Sequence, residues 1–305
     1  MKKILSLTLA VLMIVACLAA FASCGKKDES ETDAVKVINI PLTVEEYAFA
    51  VQKGDAALLG QINAFLAKIK ADGTFEAIVD KYFGNGTPTA VKSAATMKTD
   101  GSQLIVATNA AFAPFEYMEG INYYGIDMEI MDLFAKEIGK ELYINNMEFS
   151  AVCLSVSAAG GTYEDDNGNE ISVAGGTCNI AAAGLTVNDV RKQTLDFSES
   201  YYNASQMLVV AGDDTTFDAC KTADEIEAIL KGYDKSVKVG VQTGTTGNLY
   251  CIGDEDWGFD GFAFTTVGYS NGALAVQNIL NKNVKYVIID EGPAKAIVKN
   301  VNEVN

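Results

Sequence analysis

Four short stretches hold the residues best suited to chemistry: ATNAAFAPFEY from Ala107, AAGLTVNDVRKQTLDFSESYY from Ala182, VGVQTGTTGNLY from Val239 and YVIIDEGPA from Tyr286. Arg191 follows Thr186 by five positions. A guanidinium can grip a carboxylate through two parallel N–H bonds, and a threonine hydroxyl can add another. Gly184, just upstream, would let a bound molecule approach the backbone closely. Taken singly, each feature has a plainer explanation. Arg191 alone suggests a surface ion pair, Asp290 a cap on the helix after it, Phe112 and Phe149 core residues, and TGTT a common turn. The sequence contains no histidine. That excludes a histidine-based catalytic triad and a histidine-ligated zinc site.

The elements that must position these residues come from a chain of 305 residues, 49% hydrophobic and 21% charged. That suffices for one large domain or two small ones. A formal net charge of −17 repels phosphate backbones, so no nucleic-acid partner is expected. The beginning, MKKILSLTLAVLMIVACLAAFASCGKKDES, has a basic start, an apolar run and small residues before a cysteine, which is the pattern of an export signal. It resembles a bacterial lipoprotein signal, with residues 1–23 removed, Cys24 lipidated and 24–34 a tether. Cys17 fits the bare pattern better than Cys24, but the polar stretch begins only after Cys24. Four further cysteines, Cys153, Cys178, Cys220 and Cys251, form an even set in an exported chain, which suggests disulfides. Neighbour pairing, Cys153 with Cys178 and Cys220 with Cys251, is the expectation, with four buried thiols as the open alternative. No CxxC pair supports a metal site, and neither a metal nor a cofactor is expected.

VKVINI (35–40) reads as a short buried strand. Apolar residues at helical spacing predict helices over 55–70 and from Phe75 to Phe83. Residues 85–101 have turn residues and no periodicity, which predicts a linker. From Gln103 onward strands and helices alternate: QLIVATN, IDMEIMDLFAKEIG, ELYIN, FSAVCLSVSAA, NIAAAG, QMLVVAG, ADEIEAIL, VKVGVQ, SNGALAVQNIL, VKYVIID and GPAKAIVKN. Such alternation predicts an α/β protein with largely parallel sheets, and the strand count suggests two lobes. The acidic stretch GGTYEDDNGNEISVAGGT interrupts the pattern. Its spacing does not match an EF-hand, and Asn167-Gly168 predicts a surface β-hairpin.

Together, and in this relative order, the four stretches resemble the polar-amino-acid-binding proteins of bacterial ABC importers, the family-3 extracellular solute-binding proteins. The resemblance spans nearly all of the mature chain. It implies the two-lobed type II periplasmic-binding-protein-like fold, with two hinge strands and a free amino acid trapped between the lobes. It implies that Arg191 and Thr186 hold the ligand carboxylate, with the N–H groups of Thr245 and Thr246 reaching it from the opposite lobe. The Ala183–Gly184 carbonyls and Asp290 would take the ammonium. Phe112 and Phe149 match the family's apolar sandwich around the ligand side chain. Asn109 stands where many members carry an acid, and Gln242 is placed to face the side chain's tip. Two neutral amides there favour a neutral polar or moderately apolar amino acid.

The order of the elements departs from the family. The strand, hinge crossing and two helices that would close the chain occupy 35–84, ahead of everything else. The expectation is a circular permutation, with the remnant of a tandem pair, its first copy mostly lost, as the alternative. In the permuted chain, 35–53 form a lobe 2 strand and hinge crossing, 54–84 the closing helices of lobe 1, and 85–101 a linker joining the usual termini. Residues 102–199 make up the rest of lobe 1 and 200–305 that of lobe 2. The strand at Val35–Ile40 should then pair beside the strand ending at Asp290. The functional expectation is a monomeric, lipid-anchored receptor on the outer side of the cell membrane. It would deliver an amino acid to the membrane subunits of an ABC importer by hinge closure, not by catalysis. A dehydratase on the same fold and a ligand-sensing module are the alternatives.

Overall fold

The computed structural model describes residues 33–304 except Asp166, so the expected signal, Cys17, Cys24 and nearly all of the tether lie outside the described residues. In chain order the elements are strands β1 (Val35–Ile38), β2 (Glu45–Tyr47) and β3 (Ala50–Gln52), then helices α1 (Ala56–Ala71) and α2 (Thr74–Phe83). Strands β4 (Gln103–Thr108), β5 (Ala111–Phe112), β6 (Glu116–Glu119) and β7 (Asn122–Tyr124) precede α3 (Ile126–Glu137), β8 (Glu141–Asn146) and α4 (Phe149–Val156). Next come β9 (Gly161–Glu164), β10 (Glu170–Val173), β11 (Ile180–Ala181), β12 (Leu195–Phe197), β13 (Tyr202–Ala204) and β14 (Gln206–Ala211). The chain continues through α5 (Ala223–Lys231), β15 (Lys238–Gln242), α6 (Thr246–Ile252), β16 (Thr265–Tyr269), α7 (Gly272–Leu280), β17 (Tyr286–Asp290) and α8 (Glu291–Val304).

Two five-stranded sheets each seed a lobe. Lobe 1 has the order β12-β3-β11-β4-β8 and lobe 2 the order β1-β14-β17-β15-β16. Their central strands are apolar runs buried on both faces: every residue of β4 and β17 is buried. This is what a sheet covered by helices on both sides requires. In lobe 2 one core gathers Phe217, Ile226 and Leu230 with Val241 and Ile288, and the other gathers Ala275, Val276 and Ile279 with Val209 and Val287. In lobe 1 helix α1 buries Ile62, Phe65, Leu66 and Ile69, and its Phe65 ring lies 5.4 Å from that of Phe134 on α3. Helix starts follow their capping signals. The Asp55 carboxylate accepts from the Leu58 N–H, and Thr222 forms a reciprocal capping box with Glu225.

The two lobes are joined by a pair of antiparallel crossings, β2 against β13, with Tyr47 opposite Tyr202 and Glu45 opposite Ala204. Residues 35–84 therefore do not form a separate unit. They contribute β1 to one sheet, β2 to the crossing, and β3, α1 and α2 to the other lobe. The strand β1 shares the sheet of β17 but does not lie beside it. It pairs antiparallel with β14, which in turn pairs antiparallel with β17. The physical reason is that β14 re-enters the sheet directly from the hinge and takes the place next to β17. β1 and β17 consequently run the same way with one strand between them. The end of α8 is stitched to β1: Asn302 accepts from the Val35 N–H at 3.2 Å and donates to the Val35 carbonyl at 2.9 Å.

Other expectations need correction. The sheets are mixed rather than largely parallel, because β1, β3, β12 and β14 pair antiparallel with their neighbours. The expected linker at 85–101 carries no helix, but it is not loose. Val91 is buried and exchanges both backbone bonds with Tyr123, the Ala94 N–H donates to the Leu142 carbonyl, and Ser93 Oγ accepts from the Ile144 N–H. It thereby covers β8, the edge strand of lobe 1. The four cysteines are free thiols, not disulfides. Each expected pair shares a core cluster, where the cysteines pack as small apolar side chains. Burial raises the Cys153 and Cys251 thiol pKa values, which keeps them protonated and inert. The hairpin is present as β9 and β10, with Gly168 in its turn at φ +79°.

Candidate ligand-binding site

Eight of the expected site residues surround one small cavity of about 10 Å³ between the lobes. Lobe 1 supplies Phe112, Phe149, Gly184, Thr186 and Arg191, while lobe 2 supplies Thr245, Thr246 and Asp290. Most are placed by a strand end or by the turn after one, while Arg191 sits in a 3-10 turn and Phe149 begins α4. Asp290 is the last residue of β17, and Thr245 caps α6 directly after β15, its hydroxyl accepting from the Asn248 N–H. Gly184 and Thr186 follow β11. This matches the rule that open α/β sheets present ligands at strand carboxyl ends.

Gly184 has φ +52°, and a Cβ there would sit 2.7 Å from Phe112 Cε1 and 3.3 Å from Tyr47 Cε2. Glycine is therefore needed twice over, for backbone conformation and for space. Gly184→Ala should lower stability by about 1–2 kcal/mol, read as a lower urea midpoint at unchanged slope.

No α-helix starts beside Thr186. After Thr186 the chain makes a turn and one 3-10 turn at Arg191–Gln193. The Thr186 carbonyl instead accepts from Arg191 Nη1 at 2.7 Å, which orients the guanidinium. Among the described residues no carboxylate pairs with Arg191, so the surface ion pair does not form. Its guanidinium carbon lies 5.6 Å from the Phe149 ring centroid and 5.5 Å from that of Trp257.

Three expected residues stand apart from this cavity. Ala183 is buried behind it. Asn109 and Gln242 bond to each other across the lobes: Gln242 Nε2 donates to Asn109 Oδ1 at 3.0 Å, and Asn109 Nδ2 donates to the Met147 carbonyl. A second interlobe bond joins Thr246 Oγ1 to Thr186 Oγ1 at 3.2 Å.

Behind the cavity lies a buried acid and phenol network that was not anticipated from the sequence. The Tyr47 hydroxyl, on hinge strand β2, donates to Asp290 Oδ1. Glu45 accepts from the Thr186 hydroxyl at 2.6 Å. Asp127 accepts from the Gly184 N–H at 3.1 Å and from the Tyr201 hydroxyl at 2.6 Å. Burial and the nearby charge of Glu45 push the Asp290 carboxyl up to about 7, with the Tyr47 bond opposing. Burial likewise takes Asp127 to about 7 against its two hydrogen bonds. Glu116 is raised too, by burial first and then by Asp127 and Asp290. The one hint in the sequence is the pair of acids beside Tyr47 in the hinge segment.

Known proteins point the same way. The family model for bacterial extracellular solute-binding proteins, family 3, matches residues 10–85 and 104–159. The arginine-binding extracellular protein ArtP of Bacillus subtilis (strain 168) is 30% identical over 111 residues, covering 36% of this chain and 37% of that relative. A probable histidine-binding protein of Neisseria gonorrhoeae is 24% identical over 212 residues, covering 68% of this chain and 66% of that one. The alignments thus span less than two thirds of either relative's length. The crystal structure of the ancestral amino-acid-binding protein AncCDT-1, a precursor of cyclohexadienyl dehydratase, superposes with a TM-score of 0.50 at 22% identity, over 66% of this chain and 74% of that one. That likeness supports the two-lobed fold. Over residues 10–85 and 104–159, less than half of its length, the chain is similar to the bacterial extracellular solute-binding proteins, family 3.

Proposed function

We propose that the protein is an extracytoplasmic amino-acid receptor, anchored by lipid at Cys24, that hands its ligand to an ABC importer by hinge closure. One observation carries this reading: a guanidinium without a carboxylate partner, hydroxyls from both lobes and a buried carboxylate converge on one interlobe cavity beside two phenylalanines. A free amino acid needs those groups, because its two charges cannot be buried unpaired. Arg191 and Thr186 take the carboxylate together with the Thr245 and Thr246 backbone, and Asp290 takes the ammonium. A ligand that contacts both lobes only when they meet selects the closed state.

The ligand is a neutral polar or moderately apolar amino acid. Among the residues that line the cavity the one carboxylate is Asp290, which the ammonium takes, leaving no countercharge for a cationic side chain. The two named relatives are an arginine-binding and a probable histidine-binding protein, so the choice is a discriminating one. In a thermal-shift screen of the proteinogenic amino acids and cystine, neutral members should raise the melting temperature more than arginine or lysine, since binding stabilises by mass action. No shift with any of them would remove the reading.

The element order is read as a circular permutation. It is supported by β1 completing the lobe 2 sheet, by the Asn302–Val35 bonds at the new junction, and by family matches that break at the linker.

A further inference from the structure

The sequence contains one tryptophan, and it stacks on the arginine proposed to grip the ligand. Arg191 and Phe149 belong to lobe 1, whereas Trp257 comes from the loop after α6 in lobe 2. The guanidinium lies between the two rings, at 5.6 Å and 5.5 Å. Trp257 is held firmly. Its N–H donates to Asp254, and Asp254 exchanges both backbone bonds with Phe259 at 2.9 Å. The Phe259 ring packs 6.0 Å from Trp257 and 5.3 Å from Tyr250 on α6. Tyr250 in turn donates to Glu227 of α5. The ring is thus presented by the same helix whose first residues line the cavity.

We infer that Trp257 is a latch: a positioning residue that steadies Arg191 from the opposite lobe and ties the carboxylate grip to closure. Opening the lobes strips the ring from the guanidinium, so the cation–π attraction counts only toward the closed state. That attraction corresponds to about 3- to 30-fold in an equilibrium constant. The inference rests on the proposed amino-acid reading for its ligand but not for the stack itself.

Two arms test it with the full chain. Without ligand, Arg191→Ala should increase acrylamide quenching of the single tryptophan, and unchanged quenching would overturn the stack. With an equimolar mixture of the proteinogenic amino acids as probe, Trp257→Ala should raise the concentration for half-maximal thermal stabilisation about 3- to 30-fold. Trp257→Phe, which keeps a ring, should stay within about 3-fold of wild type on the same scale. If Trp257→Ala responds like wild type, there is no latch. If Trp257→Ala fails to fold, wild-type quenching must fall when the mixture is added, and an unchanged value counts against the latch. A wild-type protein that ignores the whole mixture strikes the amino-acid reading instead, and the quenching arm then decides the contact by itself.

Discussion

Arg191→Ala is expected to abolish amino-acid binding while leaving the fold intact. The side chain belongs to none of the hydrophobic clusters, pairs with no carboxylate among the described residues, and makes one side-chain hydrogen bond, to the Thr186 carbonyl. Its removal, which also gives up the Phe149 and Trp257 ring contacts, should cost about 1–2 kcal/mol of stability. Its contribution to the ligand is larger. Hydrogen bonds to charged groups are worth about 1.5–3 kcal/mol each, so losing a two-bond grip on a carboxylate costs about 3–6 kcal/mol, or about 10²- to 10⁴-fold in affinity. Arg191→Lys retains the charge but not the planar fork and should fall between the two. Titration calorimetry with the best amino acid from the screen, beside a melting curve of each variant, separates the effects. Wild-type affinity in the alanine variant would end the assignment.

Asp290→Asn should weaken binding severely yet stabilise the ligand-free protein above neutral pH. Burial, then the charge of Glu45, raises this carboxyl to about 7 from an ordinary value near 3.8. Between those two values the folded state holds a proton that the unfolded chain has lost. Stability then falls as pH rises through that window and stays lower above it. The amide removes this cost, which is at most about 4 kcal/mol for a shift of that size. The variant should accordingly melt higher than wild type at pH 8 and converge with it near pH 4. Asp127 contributes a trend of the same sign, since it is also raised to about 7, so only the difference between variant and wild type isolates Asp290. Binding moves the other way. An ammonium needs the ionised carboxylate, and breaking a buried charge pair costs about 3–5 kcal/mol. Wild-type affinity should decline as pH is lowered through about 7, and binding near that pH should release a proton. A pH-independent difference in melting temperature would show that Asp290 does not titrate as described.

Legibility in the sequence followed the range of the interactions. Helix α1 could be read from Leu58, Ile62, Phe65 and Ile69, because its period is local and Asp55 caps it. The hairpin could be read from Asn167-Gly168. Arg191 and Thr186 are five residues apart, and the carbonyl-to-guanidinium bond that links them is local as well. Tyr47 and Asp290, by contrast, are 243 positions apart, and Asp127 and Gly184 are 57 apart. Nothing in either neighbourhood marks the other. The Asn109–Gln242 bond is another of this kind, at 133 positions. Strand β16 was missed because its residues are mostly half-buried and present no apolar run, and β5–β7 because each is short. The cysteines misled for a different reason. An even count behind an expected export signal bears on redox compartment, whereas the thiols pack among apolar neighbours.

The bonds between Asn302 and Val35 have a mechanical consequence. The first strand and the last helix of the described chain meet in one lobe, on the same side of the hinge. A pull applied through the residues before Val35 is taken up by the lobe 2 sheet and does not load the β2–β13 crossings. Under the proposed hinge closure lobe 1 would be the free jaw of the clamp, and a bulky fusion or surface attachment at that junction should leave its travel unimpeded.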